Sequence, residues 1–148
     1  MGYYVTIELN SLVIPASRVE ECLKAINDLF MPENMTEDKA SGSSYYNGEK
    51  QSHYGWVNDP PEGGFTNLVD AFAAWRYNAD FAQNGDVFVS YFDGEKWGDD
   101  PTLYKAIAPF VSENAEIYCR GEDGCHWKYV FKNGEAKECS GKIVYDDE

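Results

Sequence analysis

Long apolar runs are absent from this chain, and an export signal is also missing. No run approaches the roughly 18 apolar residues that a membrane-spanning helix needs. The opening "MGYYVTIELN" lacks the basic region followed by an apolar region that is typical of a secretory signal. The sequence therefore predicts a soluble, cytoplasmic protein that does not bind a membrane.

Basic side chains are scarce: 12 of them face 26 acidic ones, which gives a formal charge of −14. Because contact with phosphate depends on Lys and Arg, this balance argues against direct binding of nucleic acid. A large negative charge attracts basic molecules, so the partner that we expect is a basic protein. The alternative is that the charge only keeps the protein soluble.

The usual signatures of catalysis are missing too. The sequence has no G-x-S-x-G elbow, P-loop, G-x-G-x-x-G turn, H-E-x-x-H helix or EF-hand loop. Only His53 and His126 are available for a Ser-His or Cys-His mechanism, and no local pattern supports either. No catalytic residue, cofactor or metal is predicted, and the balance leans against an enzyme.

Cysteine is represented by Cys22, Cys119, Cys125 and Cys139. Without an export signal, these are expected to be free thiols. The last three, together with His126, would supply the four ligands of a tetrahedral zinc site. No tight C-x-x-C pair exists among them, which favours ordinary strand cysteines over a metal site.

Hydrophobic periodicity predicts a strand followed by a helix in the first part of the chain. Apolar residues alternate over 3–14, as in a strand with one buried face. From Val19 to Phe30 they repeat at spacings of three and four, which indicates an amphipathic helix. Ser17 and Glu20 fit a capping box at its start.

Two further helices and a β-meander are predicted in the rest of the chain. "FTNLVDAFAAWRY" has a helical apolar face with Thr66 as its cap, and a third helix starts at Asp99 or Asp100. The meander occupies 115–145, where alternation puts Trp127, Tyr129 and Phe131 on one face.

Three similar segments, "YYNGEK" at 45–50, "YFDGEK" at 91–96 and "FKNGEAK" at 131–137, share an aromatic strand end and an Asn-Gly or Asp-Gly pair. These pairs tolerate positive φ and are a strong signal for a hairpin turn. A repeated ligand-binding loop would need more shared polar residues than Glu-Lys. We interpret all three as turns, and Asp123-Gly124 as a fourth.

Together these signals predict an α+β protein with one mainly antiparallel sheet of five to eight short strands and three helices packed on it. Hairpin signals outnumber crossover signals, which argues against a parallel sheet. We expect a single domain over 1–148, with a mobile loop at about 33–44 and an acidic tail at 146–148.

Two groups of residues are candidates for binding. Acidic residues in the predicted turns form a candidate surface for a basic partner: Asp93, Glu95, Asp99, Asp100, Glu122 and Asp123. Such carboxylates also bind calcium or magnesium, or serve as an acid and base pair. The alternative group surrounds a ligand pocket and is mostly aromatic: Tyr45, Tyr46, His53, Tyr54, Trp56 and Trp97.

From about Phe65 to Tyr145 the chain resembles a set of small uncharacterised bacterial and phage proteins. The motifs that carry the likeness are "GEKWGD", "APFV" and "GEDGCHWKYVF", which match G-E-K-x-G-D, A-P-F-V and G-E-D-G-x-x-W-x-x-x-F. The resemblance implies a phage or mobile-element setting, and hence a bacterial or phage-infected cell. It implies no activity.

Three hypotheses on function follow. The first is a non-enzymatic acidic protein that docks on a basic, nucleic-acid-handling protein, as an inhibitor of host defence of the anti-CRISPR kind would. The second is a small-ligand or nucleotide-binding protein, or a minor hydrolase, with an aromatic pocket. The third is a housekeeping domain whose acidity only maintains solubility.

Overall fold

The computed structural model describes residues 2–36, 39–142 and 144–146, without the side chains of Ser44 and Tyr46. These residues contain three α-helices: α1 (Val19–Asp28), α2 (Leu68–Ala74) and α3 (Asp100–Ile107). They also contain nine strands: β1 (Val5–Asn10), β2 (Val13–Ile14), β3 (Gly42–Tyr46), β4 (Glu49–His53), β5 (Tyr77–Phe81), β6 (Val87–Phe92), β7 (Glu116–Gly121), β8 (His126–Lys132) and β9 (Glu135–Gly141).

All strand pairs are antiparallel, and the strands divide over three sheets with the orders β1-β7-β8-β9, β2-β6-β5 and β3-β4. The predicted α+β class with an antiparallel sheet and three helices is confirmed. The strands are more numerous than expected, because the predicted strand over 3–14 breaks at Ser11, whose φ is 56°. β1 then pairs with β7, and β2 turns away to pair with β6.

The edge of β1 that faces away from β7 pairs with residues 95–97, which the sequence pattern placed after a hairpin turn beside β6. The Val5 N–H donates to the Glu95 carbonyl at 2.9 Å, and the Trp97 N–H donates to the Tyr3 carbonyl at 2.8 Å. The prediction that residues 95–97 turn back along β6 is therefore wrong. Neither Asp93 nor Gly94 has the positive φ of a type I′ turn.

The other two copies of the repeated segment behave as predicted. Asn47 and Gly48 have φ of 52° and 81°, and Asn133 and Gly134 have φ of 55° and 75°. Positive φ at both central positions is the type I′ geometry, and these turns join β3 to β4 and β8 to β9.

The core joins the helices to the two larger sheets. Large rings supply much of it, and Phe72, Trp75, Tyr77, Tyr104 and Phe131 are each at most 1% exposed. Complete burial of a side chain of this size stabilises the fold by roughly 1.5–3 kcal/mol. Cys22 and Ile26 from the predicted stripe of α1 are buried in the same cluster.

The helix starts differ from the predicted caps. α1 follows a 3-10 turn over Ala16–Arg18, and no side chain caps it, so the box of Ser17 and Glu20 is wrong. At α2 the cap is Asn67, whose Oδ1 accepts a hydrogen bond from the Asp70 N–H at 2.8 Å, not Thr66.

Two predicted segments are only partly covered. The loop at 33–44 contains residues 37 and 38, and the acidic tail contains residues 147 and 148, all of which lie outside the described residues. A 3-10 helix covers Pro32–Asn34, and β3 begins inside the predicted loop. In the part of the chain that the structure describes, no helix is long and apolar enough to cross a membrane.

Candidate functional site

Three exposed carboxylates, those of Glu95, Glu122 and Asp123, lie beside the first residues of the chain. With the exposed Asp93, two residues before Glu95, they form a surface that we call the acidic rim. Glu122 is positioned by its own backbone, because its N–H donates to the Tyr4 carbonyl at 3.0 Å. Its Oε1 accepts from the Tyr4 N–H, also at 3.0 Å. Glu95 reaches the same place through the segment that pairs with β1.

Asp123 is held firmly at the turn between β7 and β8. Its carboxylate accepts hydrogen bonds from the Tyr3 hydroxyl and, at 3.1 Å, from the Cys125 N–H. The bond from Tyr3 is the main cause that lowers the pKa of Asp123, and the same contact raises the pKa of Tyr3 to about 12. Asp123 is therefore an anion at neutral pH, with a fixed orientation.

The carboxylates of Asp93 and Glu95 are exposed and have no hydrogen bond or ion pair with any described residue. Glu95 and Glu122 line one open cavity of about 700 Å³, whose wall also contains Tyr4 and Arg120. Tyr4 is 49% exposed, and Lys96 Nζ lies 3.3 Å from the centre of its ring. The rim thus combines free negative charge with an exposed aromatic residue.

Asp99 does not contribute to this rim. Its Oδ2 accepts hydrogen bonds from the Ser41 N–H at 2.8 Å, the Ser41 hydroxyl at 3.0 Å and the Gly55 N–H at 2.6 Å. Ser41 precedes β3 and Gly55 follows β4, so one oxygen holds both ends of this hairpin against the start of α3. Asp99 has a structural role at the base of the hairpin.

Asp100 is fully buried, which corrects its assignment to an exposed acidic surface. Its Oδ1 accepts from Arg76 at 3.0 Å and from the Gly98 N–H at 2.9 Å, and its Oδ2 accepts from the Tyr77 hydroxyl at 2.7 Å. The Tyr77 hydroxyl also bonds to that of Tyr104. Burial raises the pKa of Asp100, and the Arg76 guanidinium opposes this rise. Both carboxylate oxygens of Asp100 are thus hydrogen-bonded inside the core, whereas the buried Arg76 Nε has no partner among the described residues.

The residues of the predicted ligand pocket are not equally available. Tyr54 is buried, donates to the Leu29 carbonyl and packs against Trp75, which corrects its assignment to an open pocket. Trp97 is half-buried, with its ring centre 6.3 Å from that of Tyr104 and 5.3 Å from that of Trp127.

The other members of that group lie nearer the surface. Tyr45 and Trp56 are 73% and 51% exposed. His53 Nδ1 lies 3.7 Å from a carboxylate oxygen of Asp59. The side chain of Tyr46 lies outside the described residues.

The three cysteines of the predicted zinc set are not grouped together. Cys119 is buried opposite Trp127 in β8, and burial raises its pKa to about 12. Cys139 lies opposite Lys128, and Cys125 is exposed beside Asp123. Among the described residues, no three His, Cys, Asp or Glu side chains are grouped so that they could hold a metal ion.

Two groups of potentially functional residues were not predicted from the sequence. Arg76, with a φ of 74°, pairs with Asp100 in the core, and no sequence pattern marks such a contact. Tyr118, Arg120 and Lys128 lie on the outer face of the four-stranded sheet. Alternation with the buried Tyr129 and its neighbours could have revealed this second group.

Comparison with protein family models, with curated proteins and with solved structures finds no match to this chain. The resemblance to small bacterial and phage proteins therefore stays a prediction.

Proposed function

We propose that this chain is a non-enzymatic interaction protein whose acidic rim docks on a basic surface of a partner protein. The observation that carries the proposal is the set of exposed rim carboxylates, of which Asp93 and Glu95 have no partner among the described residues. An anion without an internal partner is available to a cation on another molecule. Charge complementarity of this kind directs the encounter and its orientation more than it adds affinity.

The geometry around Tyr4 supports the same surface. An exposed tyrosine with a fixed backbone is typical of an interface anchor, since it offers a large contact area at a small loss of conformational entropy. Tyr4 is fixed on one side by Glu122 and on the other by the segment of Glu95. A basic partner would meet this ring in the middle of the carboxylates.

The partner class that fits is a protein whose own ligand is nucleic acid, because its Lys and Arg side chains are arranged for phosphate. A chain with a charge of −14 competes with phosphate for such a surface. In the phage or mobile-element setting that the resemblance implies, a host defence protein is the proposed target.

The test compares two charge-reversal variants with equal changes in net charge. Asp93→Lys with Glu95→Lys removes the free charges of the rim, whereas Glu20→Lys with Glu62→Lys changes two exposed carboxylates elsewhere. The proteins are used for affinity capture from a bacterial lysate at about 50 and about 300 mM salt, a range that strongly screens surface charges.

The expected result is a basic protein that high salt releases, that the rim variant fails to capture and that the control variant retains. Its identity is then checked by asking whether the chain competes with DNA or RNA for it. Equal loss in both variants would contradict the rim as the docking site. Failure of both the unmodified protein and the control variant to retain a basic protein would contradict the proposal itself.

A further inference from the structure

The outer face of the four-stranded sheet carries two rows of opposed side chains. In one row Thr6, Arg120, His126 and Gly141 follow each other across β1, β7, β8 and β9. In the next row the order is Glu8, Tyr118, Lys128 and Cys139. Directly opposed residues have Cβ atoms about 4.5–5.5 Å apart, so each row is a set of touching neighbours.

Two cations, Arg120 and Lys128, lie on this face together with the carboxylates of Glu8 and Glu116. Arg120 is exposed, and its guanidinium makes no hydrogen bond or ion pair with a described residue. His126 is next to it and half-buried. A free guanidinium beside an imidazole is suited to an anion, because the planar fork of Arg binds phosphate or carboxylate with two hydrogen bonds.

Tyr118 supplies a positioned ring in the next row. Its hydroxyl donates to Glu116 Oε1 at 3.1 Å, and Lys128 Nζ bonds to Glu116 Oε2 at 2.8 Å and lies 5.4 Å from the ring centre. Tyr118 is 38% exposed. Lys128 is thus engaged in holding Tyr118 and Glu116, while Arg120 remains free.

Tyr118, Arg120, His126 and Lys128 line a half-open cavity of about 500 Å³, together with Thr6 and Ser140. This volume is within the range of small-molecule sites. Gly141 leaves room beside His126, because a Cβ at this position would lie 3.2 Å from the His126 Cβ. Tyr118 and Arg120 are two residues apart in one strand, which separates them by about 7 Å.

We propose that this cavity binds a small molecule in which a planar ring is joined to a phosphate or a carboxylate. The ring stacks on Tyr118, and the anionic group binds Arg120 with His126 and Thr6 as further polar contacts. A nucleoside monophosphate has this composition, and so does an aromatic acid. The cavity adjoins the acidic rim, because Thr6, Arg120 and His126 also line the open cavity that Glu95 and Glu122 border. Its anion-binding group is a cation, so binding of the small molecule is an activity distinct from docking of the rim on a basic partner.

Glu8 places a negative charge in the wall of the same cavity. It lies opposite Tyr118 in the cavity wall, is exposed and has no partner among the described residues. Its charge repels an anionic ligand. Removal of this charge by Glu8→Gln should therefore strengthen binding, whereas Arg120→Gln should weaken it.

The experiment is titration calorimetry of the full chain with four probes: adenosine monophosphate, 4-hydroxybenzoate, adenosine and inorganic phosphate. The expected result is binding of one or both of the first two, with adenosine and phosphate at least about tenfold weaker because each supplies half of the contacts. Binding of the first probe alone identifies a phosphate ligand, and binding of the second alone identifies a carboxylate ligand.

Variants decide whether the bound probe occupies this cavity. Arg120→Gln should weaken binding about tenfold or more, and Glu8→Gln should strengthen it severalfold. Lys132→Gln removes an equal charge from an exposed position at the end of β8 and should leave affinity within about twofold. Thermal unfolding checks that each variant is folded. The proposal is overturned if neither ring-bearing anion binds at millimolar concentration, or if Arg120→Gln binds as well as the parent.

Discussion

The Asp99 carboxylate accepts a hydrogen bond from the Gly55 N–H at 2.6 Å, although Asp99 directly precedes α3 and Gly55 follows β4. The same oxygen accepts two hydrogen bonds from Ser41, at the other end of the hairpin. This hairpin pairs with no other strand of the described chain, so these bonds are a principal link between its base and the body of the protein.

Asp99→Ala is expected to loosen the β3-β4 hairpin while the other sheets stay intact. Loss of the acceptor leaves two backbone N–H groups and one hydroxyl without a partner, at a cost of about 1–3 kcal/mol. Hydrogen exchange measured by mass spectrometry should be faster over 42–53 and unchanged in β8. Asp93→Ala, which removes an exposed carboxylate without a partner, is the control. Equal protection of the hairpin in both variants would show that Asp99 does not anchor it.

Gly98→Ala is expected to disrupt the contact between the base of the β3-β4 hairpin at Gly55 and the segment before α3. A Cβ at Gly98 would lie 2.2 Å from the Gly55 carbonyl oxygen, so the backbone must shift. At Gly48 a Cβ meets no atom within 4 Å, and only the positive φ of 81° disfavours alanine there, by about 1–2 kcal/mol. Thermal unfolding should therefore show a larger loss of stability for Gly98→Ala than for Gly48→Ala. The reverse order would contradict the close approach of these two backbones.

Asp100→Ala is expected to be the more damaging of the two adjacent aspartate substitutions. It leaves the Arg76 guanidinium without its buried counter-ion, and loss of one partner from a buried pair costs about 3–5 kcal/mol. Chemical denaturation should give a larger decrease in the free energy of unfolding than Asp99→Ala. Tyr77→Phe, which removes a single hydroxyl from the same network, should cost about 1–2 kcal/mol. Comparable small effects for all three would refute the network as a major source of stability.

Stability is expected to fall at alkaline pH because of the buried tyrosines. Burial raises the pKa of Tyr77 and Tyr104 well above the usual value, so these groups stay protonated in the folded protein. In the unfolded chain, tyrosine loses its proton near pH 10. Burial of the protonated tyrosines therefore contributes fully to stability below pH 10. Above pH 10 the unfolded state binds fewer protons than the folded state, and this contribution is lost.

Circular dichroism and tyrosinate absorbance, recorded together during an alkaline titration, test this prediction. The last part of the tyrosinate signal should appear only as secondary structure is lost, and Tyr77→Phe should reduce that part. A full tyrosinate signal from a folded protein would contradict it.

The sequence predicted those parts of the fold that depend on local pattern. Periodicity located α1, α2, α3 and the meander from β7 to β9, because a buried face leaves its period in the sequence. Asn-Gly at 47–48 and 133–134 predicted two turns. Asp93-Gly94 has almost the same sequence, and there tertiary pairing of residues 95–97 with the N-terminal strand overrides the local preference.

The candidate site was harder to predict, because burial of a charge depends on contacts between distant residues. Asp93, Glu95 and Asp100 look alike in the sequence, yet only Asp100 meets an arginine inside the core. Asp99 was expected to be exposed or to cap α3, and instead accepts bonds from Ser41 and Gly55. Tyr118 and Arg120 were within reach of sequence reasoning, since they alternate with the buried Ile117 and Cys119.

The position of the N-terminal strand has a consequence for synthesis of the protein. β1 lies between residues 95–97 on one edge and β7 on the other, so both partners come from the second half of the chain. During synthesis this strand leaves the ribosome before either partner and stays unpaired until residues 95–97 and 116–121 have followed it. Contacts this distant in sequence slow folding, and they leave an apolar strand exposed to other chains until both partners have been synthesised.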